Sequence, residues 1–83
     1  MSKFEKLLRR FYQYPIPVDI SYQEASRFLL AIGCAMRKRT GSHRVFTYPG
    51  YSESIVLMEG EKLRSYQVQD IKNLLKYIGV KAK

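Results

Sequence analysis

The sequence predicts an α+β fold in which a three-stranded antiparallel sheet carries helices on one face, with an extra helix at the N-terminus. Three segments repeat apolar residues with the spacing of an amphipathic helix. Turn residues divide the stretch between the second and third segments into short runs that are typical of strands. With 83 residues, 46% of them hydrophobic, the chain is sized for one domain with a thin core.

The predicted helices cover residues 3–13, 22–32 and 66–78, each with apolar residues at i, i+3, i+4 and i+7. A hydroxyl residue followed three positions later by Glu forms a capping box, which satisfies free backbone donors of the first turn. The pairs with this spacing are Ser2 with Glu5 and Ser21 with Glu24. Ser65 is placed to cap the third helix, and Gly33 and Gly79 stand where a left-handed residue ends a helix.

Two prolines shape the segment between the first two helices. Pro15 and Pro17 end the first helix and force an extended path, in a stretch too apolar for a loose linker. We therefore divide the single domain, residues 1–83, into an N-terminal helix with a proline-containing connector (1–20) and a core (21–80).

Residues 34–58 are predicted as a β-meander with strands at 35–39, 43–48 and 54–58. Thr40-Gly41-Ser42 and Pro49-Gly50 have the composition of turns between them. The element order is then α-α-β-β-β-α. Its last five elements have the layout of a double-stranded-RNA-binding-like domain, to which the first helix is an addition.

Composition restricts the function classes. Lys and Arg total 15 against 7 acidic residues, a net charge of +8, which favours RNA, DNA, an anionic membrane surface or an acidic protein as partner. One cysteine, Cys34, excludes a disulfide within the chain, and one histidine excludes zinc-type spacing, so we expect no metal and no cofactor. Without an apolar stretch of membrane-spanning length or a secretory signal, we expect a cytoplasmic protein with no membrane partner.

The chemistry-bearing stretch is residues 37–44, which contains four cations and the only histidine. Cutting RNA requires cations that hold the phosphate backbone and a group that moves a proton. Histidine suits proton transfer near neutral pH, and His43 is the only histidine of the chain. The cations that would hold the backbone are Arg37, Lys38, Arg39 and Arg44. Alternatively, His43 is a surface histidine without a role, and the cations are a solvated strand edge.

Strand alternation places residues of the second strand on two faces of the sheet: Arg44, Phe46 and Tyr48 on one, and His43, Val45 and Thr47 on the other. If the helices cover the Phe46 face, His43 lies on the open face. If they cover the other face, His43 points into the core and the catalytic hypothesis weakens. Glu59 and Glu61 would repel RNA from their end of the sheet, and Tyr51 at a turn tip could stack on a base.

A resemblance to the HicA (YcfA-like) toxin family is carried by Gly41-Ser42-His43-Arg44-Val45-Phe46, Gly60-Glu61-Lys62-Leu63-Arg64 and the final segment through Ile78-Gly79-Val80. It spans about residues 20 to 80. The resemblance implies a toxin of a type II toxin–antitoxin pair, a metal-independent endoribonuclease (mRNA interferase) in which His43 is catalytic. It also implies a HicB-like antitoxin that blocks the site, in a homodimer or a toxin–antitoxin hetero-oligomer.

The RNA-binding residues predicted from the basic run and the resemblance together are Arg37, Lys38, Arg39, Ser42, Arg44, Lys62 and Arg64. Many family members carry a second histidine, which this chain lacks. Arg44, Lys62 or water would then have to assist the leaving group. Two alternatives stay open: a non-catalytic RNA- or DNA-binding module on the same fold, and a subunit whose basic face binds an acidic protein. The first helix is expected to pack on the domain or on a second copy rather than on a membrane.

Overall fold

A computed structural model, which describes residues 3–80, confirms the α+β class and the order α-α-β-β-β-α. Three strands form one antiparallel sheet in the order β1-β2-β3. All six predicted elements are present, within two residues of the predicted ends. They are α1 (Lys3–Phe11), α2 (Tyr22–Ala31), β1 (Ala35–Lys38), β2 (His43–Thr47), β3 (Ile55–Met58) and α3 (Ser65–Ile78).

The hydrophobic core lies between the helices and one face of the sheet. Phe46, Ile55 and Leu57 are buried on that face, and the apolar stripes of α2 and α3 pack on them. The helices therefore cover the Phe46 face, and the first of the two arrangements allowed by alternation is the one found. Cys34 is buried and unpaired, and its burial raises the pKa of the thiol.

Helix α1 is part of the same core. Leu7, Leu8 and Phe11 are buried in it, and the Phe11 ring lies 4.9 Å from the ring of Phe28 in α2. The Tyr12 hydroxyl donates to the Val80 carbonyl at 2.6 Å, which ties the residue after α1 to the segment that follows α3. The expectation that the first helix packs on its own domain is confirmed.

The start of α2 and the left-handed Gly79 that ends α3 agree with prediction, whereas the start of α3 differs. Ser21 and Glu24 form the predicted capping box, while Ser2 lies outside the described residues. The prediction that Ser65 caps α3 is wrong, because Ser65 is already helical and Arg64 occupies the capping position. Gln67 accepts from the Arg64 backbone N–H at 2.7 Å and donates to the Val56 carbonyl at 3.1 Å, so one side chain fixes the helix start against β3.

Candidate nucleic-acid interface

The turn between β1 and β2 positions the only histidine of the chain. The His43 carbonyl accepts from Arg39 N–H at 2.9 Å, and the Thr40 carbonyl accepts from His43 N–H at 3.3 Å. Gly41 has φ +64°, a left-handed conformation that other residues rarely adopt, so a glycine suits this tight reversal. The turn places His43 at the first position of β2, directly across from Arg39.

The His43 side chain is exposed on the open face, which is the sheet face opposite the helices. Its Nδ1 lies 3.1 Å from the Thr40 carbonyl oxygen. Because a carbonyl only accepts hydrogen bonds, Nδ1 must carry the proton in this contact. A neutral imidazole then leaves Nε2 with its lone pair, the form that a general base needs.

Two of the predicted cations share the open face with His43. Arg37 pairs with Val45 in the sheet register, and Arg39 stands opposite His43, so alternation directs both toward the same side. Both are exposed, and within residues 3–80 neither forms an ion pair. Lys38 is also exposed but pairs with Arg44 on the other face, at the edge of the sheet.

Arg44 does not fit the predicted contact with RNA. It is only 8% exposed, because it lies on the helix-covered side of β2. Its guanidinium donates to the carbonyls of Gly41 and His43 at 2.9 Å and pairs with Glu59 at 3.2 Å. Arg44 therefore braces the turn that carries His43, and neither phosphate binding nor assistance to a leaving group suits its position.

The other predicted RNA-binding residues, Ser42, Lys62 and Arg64, do not join Arg37, Arg39 and His43 on the open face. Ser42 is half-buried, and its carbonyl accepts from Glu59 N–H at 2.8 Å. Lys62 pairs with Ser21 in an isolated bridge, and Arg64 stands at the N-cap position of α3. Both side chains are exposed, and in the described part of the chain no hydrogen bond connects either of them to His43.

The sheet register also corrects the expected position of the acidic residues relative to His43. Met58 stands opposite His43, so Glu59 follows directly beside Ser42 at the histidine end of the sheet. The sequence had placed the acidic residues away from the RNA path. Their effect at this end is reduced for Glu59, whose charge is paired with Arg44.

The open face carries Val45, which strand alternation predicts, and two apolar residues of β3 that sequence reasoning missed. Val45 is only 6% exposed although no helix covers it, and half-buried Val56 and Met58 lie beside it on β3. The signal was the run Ile55-Val56-Leu57-Met58, because a strand that is apolar on both faces is typical of a sheet covered on both sides. This surface combines an apolar strip with Arg37, Arg39 and His43.

The predicted role of Tyr51 in base stacking is not favoured by its position. Its ring is half-buried and lies 4.9 Å from the ring of Tyr77, whose hydroxyl donates to the Gly50 carbonyl. These contacts fill the end of the sheet opposite His43. Tyr66, at the start of α3, is 60% exposed, so its ring is more accessible to a ligand than that of Tyr51.

Within the described residues, no three His, Cys, Asp or Glu side chains are placed to hold a metal ion. None of the helices in that range combines the length and the apolar character that crossing a membrane requires. Comparison with family models, curated proteins and solved structures found no match to this chain. The resemblance to the HicA family thus stays a prediction from the quoted residues.

Proposed function

We propose that this chain is a HicA-type endoribonuclease on a double-stranded-RNA-binding-like fold, acting as the toxin of a type II toxin–antitoxin pair in the cytoplasm. The observation that carries the proposal is the exposed imidazole of His43, in which Nδ1 contacts the Thr40 carbonyl and Nε2 has no hydrogen-bond partner among residues 3–80. The run of helix, three-stranded sheet and helix supports the fold assignment.

In the proposed reaction, the 2′-hydroxyl of a nucleotide attacks the adjacent phosphorus while Nε2 of His43 accepts the hydroxyl proton. The bond from phosphorus to the 5′ oxygen of the next nucleotide breaks, which yields a 2′,3′-cyclic phosphate and a 5′-hydroxyl. Arg37 and Arg39 bind the phosphate and stabilise the charge that develops on its oxygens. Water protonates the 5′ oxygen, because the chain has no second histidine and Arg44 is engaged within the fold.

The same surface suits the antitoxin that the resemblance implies. A HicB-like protein would cover the apolar strip of Val45, Val56 and Met58 and place acidic groups against Arg37 and Arg39. Such a contact would block access of RNA to His43. The assembly would then be a toxin–antitoxin hetero-oligomer, with a homodimer of the free toxin as the alternative.

The test is cleavage of RNA by the purified protein in the presence of a chelator, compared with His43→Ala. We expect the variant to lose about 100-fold or more in cleavage rate, the usual contribution of a general base, while RNA affinity changes little. Products of the unmodified protein should end in a 2′,3′-cyclic phosphate. Lys76→Ala, an exposed cation on α3, is the matched control. Undiminished cleavage by His43→Ala would overturn the mechanism.

A second candidate is a non-catalytic RNA- or DNA-binding module on the same fold. The engagement of Arg44 favours it, because this leaves His43 as a lone imidazole without a nearby side chain that protonates the leaving oxygen. This candidate predicts no cleavage at any pH, together with nucleic-acid affinity that falls as salt rises. Cleavage products with cyclic phosphate ends would exclude it.

A further inference from the structure

A groove between α1 and α2 lies on the helical side of the molecule, away from the open face. Its volume is about 570 Å³, within the range of ligand-binding clefts. Its apolar lining comes from both helices. The residues are Phe4 and Leu7 of α1 with Phe28 and Ala31 of α2.

Phe4 keeps part of its ring in water at this groove. It is 36% exposed and stacks on Phe28, with the ring centroids 4.8 Å apart and the planes 18° from parallel. Leu7 and Phe28 beneath it are buried, so Phe4 is the apolar side chain that a ligand would cover. Stacking on Phe28 holds the ring in one place, which lowers the entropy cost of binding against it.

The rim of the groove is positively charged. Lys3, Lys6 and Arg27 line it, and none of them forms an ion pair within residues 3–80. Two further charges at the rim are already engaged. Arg10 pairs with Asp19, and Glu24 accepts from the backbone and hydroxyl of Ser21. Three cations that form no ion pair in the described part of the chain thus border an apolar floor.

We propose that this groove binds an acidic segment of a partner protein, with one large apolar side chain on Phe4 and flanking Asp or Glu residues opposite Lys3, Lys6 and Arg27. Apolar contact at the centre and charge pairs at the rim are the usual arrangement of a protein interface. Charge complementarity selects an acidic partner over a basic one.

The environment of α1 argues against a membrane as the occupant. An interfacial helix must bury its apolar face in lipid. In α1 that face is already used, since Leu7, Leu8 and Phe11 are buried in the core and only Phe4 reaches the surface. A single half-exposed ring offers little area to lipid, whereas it suffices as the anchor point of a short peptide.

The groove and the open face are separate surfaces. The groove is formed by α1 and α2, and α2 packs on the sheet face opposite His43. Both surfaces can therefore be occupied at once, and the inference does not depend on ribonuclease activity. A partner bound in this groove would recruit the protein to a complex without covering His43.

The test titrates a synthetic amphipathic peptide, with two leucines flanked by glutamates, into the isotopically labelled full chain and follows backbone amide shifts. We expect saturable shifts centred on residues 4–7 and 27–31. Lys6→Glu should weaken binding about fivefold, since a rim charge is reversed, while Lys76→Glu changes the net charge equally and should leave affinity unchanged. Phe4→Ala should abolish saturation, and Phe4→Leu should retain it.

Further probes test the charge and the apolar contact separately. A peptide with lysines in place of glutamates and one with alanines in place of leucines should both fail to bind. Shifts that map to the open face, or equal losses in Lys6→Glu and Lys76→Glu, would overturn the proposal. So would tighter binding at the groove by phosphatidylglycerol vesicles or by single-stranded RNA than by the acidic peptide. Circular dichroism of each variant separates lost binding from lost folding.

Discussion

The guanidinium of Arg44 lies 3.2 Å from the carboxylate of Glu59, across the β2–β3 pair and behind His43. The same guanidinium also donates to the carbonyls of Gly41 and His43, so its hydrogen bonds are made within the fold rather than to solvent. One buried cation thus connects the turn before β2 to the end of β3. The position of His43 depends on this connection rather than on a contact of its own ring alone.

Replacing Arg44 should therefore act through stability. Arg44→Met keeps most of the side-chain volume but leaves two turn carbonyls without their donor, at an expected cost of about 1–3 kcal/mol in the free energy of unfolding. The measurement is a urea titration followed by circular dichroism. Amide shifts of residues 40–43 should change as well, because the turn loses its brace.

Glu59→Gln and Lys38→Met serve as controls for this prediction. Glu59 is half-exposed, so its loss should cost less than about 1 kcal/mol. Lys38 is an exposed neighbour on the same face, and its replacement should be close to neutral. Equal stability of Arg44→Met and Lys38→Met would contradict the bracing role.

Arg44 also marks where sequence reasoning reached its limit at the site. The run 37–44 correctly indicated a cluster of cations beside His43, and alternation correctly grouped Arg44 with Phe46. The number of charges in the run could not show that Arg44 is buried and ion-paired while Arg37 is exposed. The partner of Arg44, Glu59, is 15 residues away in the chain. A long-range ion pair leaves no local pattern.

Arg37 and Arg39 should carry the electrostatic part of RNA binding. Each phosphate contact on a single strand contributes about 0.7 to the slope of log affinity against log salt. Arg37→Ala and Arg39→Ala should each reduce that slope by about this amount. The measurement is fluorescence anisotropy of a labelled single-stranded RNA over a series of salt concentrations.

Lys62→Ala and Lys76→Ala calibrate this measurement. An unchanged slope for Lys62→Ala, as for Lys76→Ala, would confine RNA to the open face near His43. A reduced slope for Lys62→Ala would extend the path toward α3. A slope that Arg37→Ala and Arg39→Ala leave unaltered would argue against RNA on the open face.

The fold itself was more accessible to sequence reasoning than the site. Helical periodicity and the Ser21–Glu24 pair are local signals, and they fixed α2 to within a residue of its ends. The start of α3 was misassigned because Gln67 bonds both to Arg64 and to the Val56 carbonyl of a separate strand. Helix α1 ends two residues before its predicted end. There the backbone N–H groups of Tyr12 and Gln13 donate to carbonyls three residues back, which closes the helix in a turn.

Asp70 should make stability depend on pH. Burial, and secondarily the negative charge of Glu53, raise the pKa of the Asp70 carboxyl above its ordinary value of 3.8. The folded state therefore holds this proton more tightly than the unfolded chain, so its contribution favours folding at low pH and is lost as pH rises through the raised pKa. Asp70→Asn should stabilise the protein at neutral pH, but by no more than about 0.5 kcal/mol, because Asp70 is partly exposed and water screens its charge.

Thermal unfolding of Asp70→Asn and of the unmodified chain at neutral pH and near pH 3 tests the sign, since below its ordinary pKa the carboxyl is protonated in both states. The difference should disappear in acid. Glu61→Gln removes an equal charge from an exposed position and controls for the rise in net positive charge. A gain that persists at low pH would contradict the assignment to Asp70 ionisation.

Replacing Phe11 tests whether α1 unfolds together with the rest of the domain or separately from it. Its ring is 1% exposed and packs on Phe28 of α2, so Phe11→Ala should cost about 3–5 kcal/mol through lost burial and the cavity left behind. That is a large share of the roughly 5–15 kcal/mol that stabilises a typical domain. Phe4→Ala, on the same helix but part-exposed, should cost far less.

In urea titrations, one cooperative transition that shifts as a whole in Phe11→Ala would establish that α1 and the rest of the chain unfold as a single unit. A first transition confined to α1, with the rest unfolding as before, would contradict it, because the cluster that joins Leu7, Leu8 and Phe11 to α2 and α3 would then be dispensable.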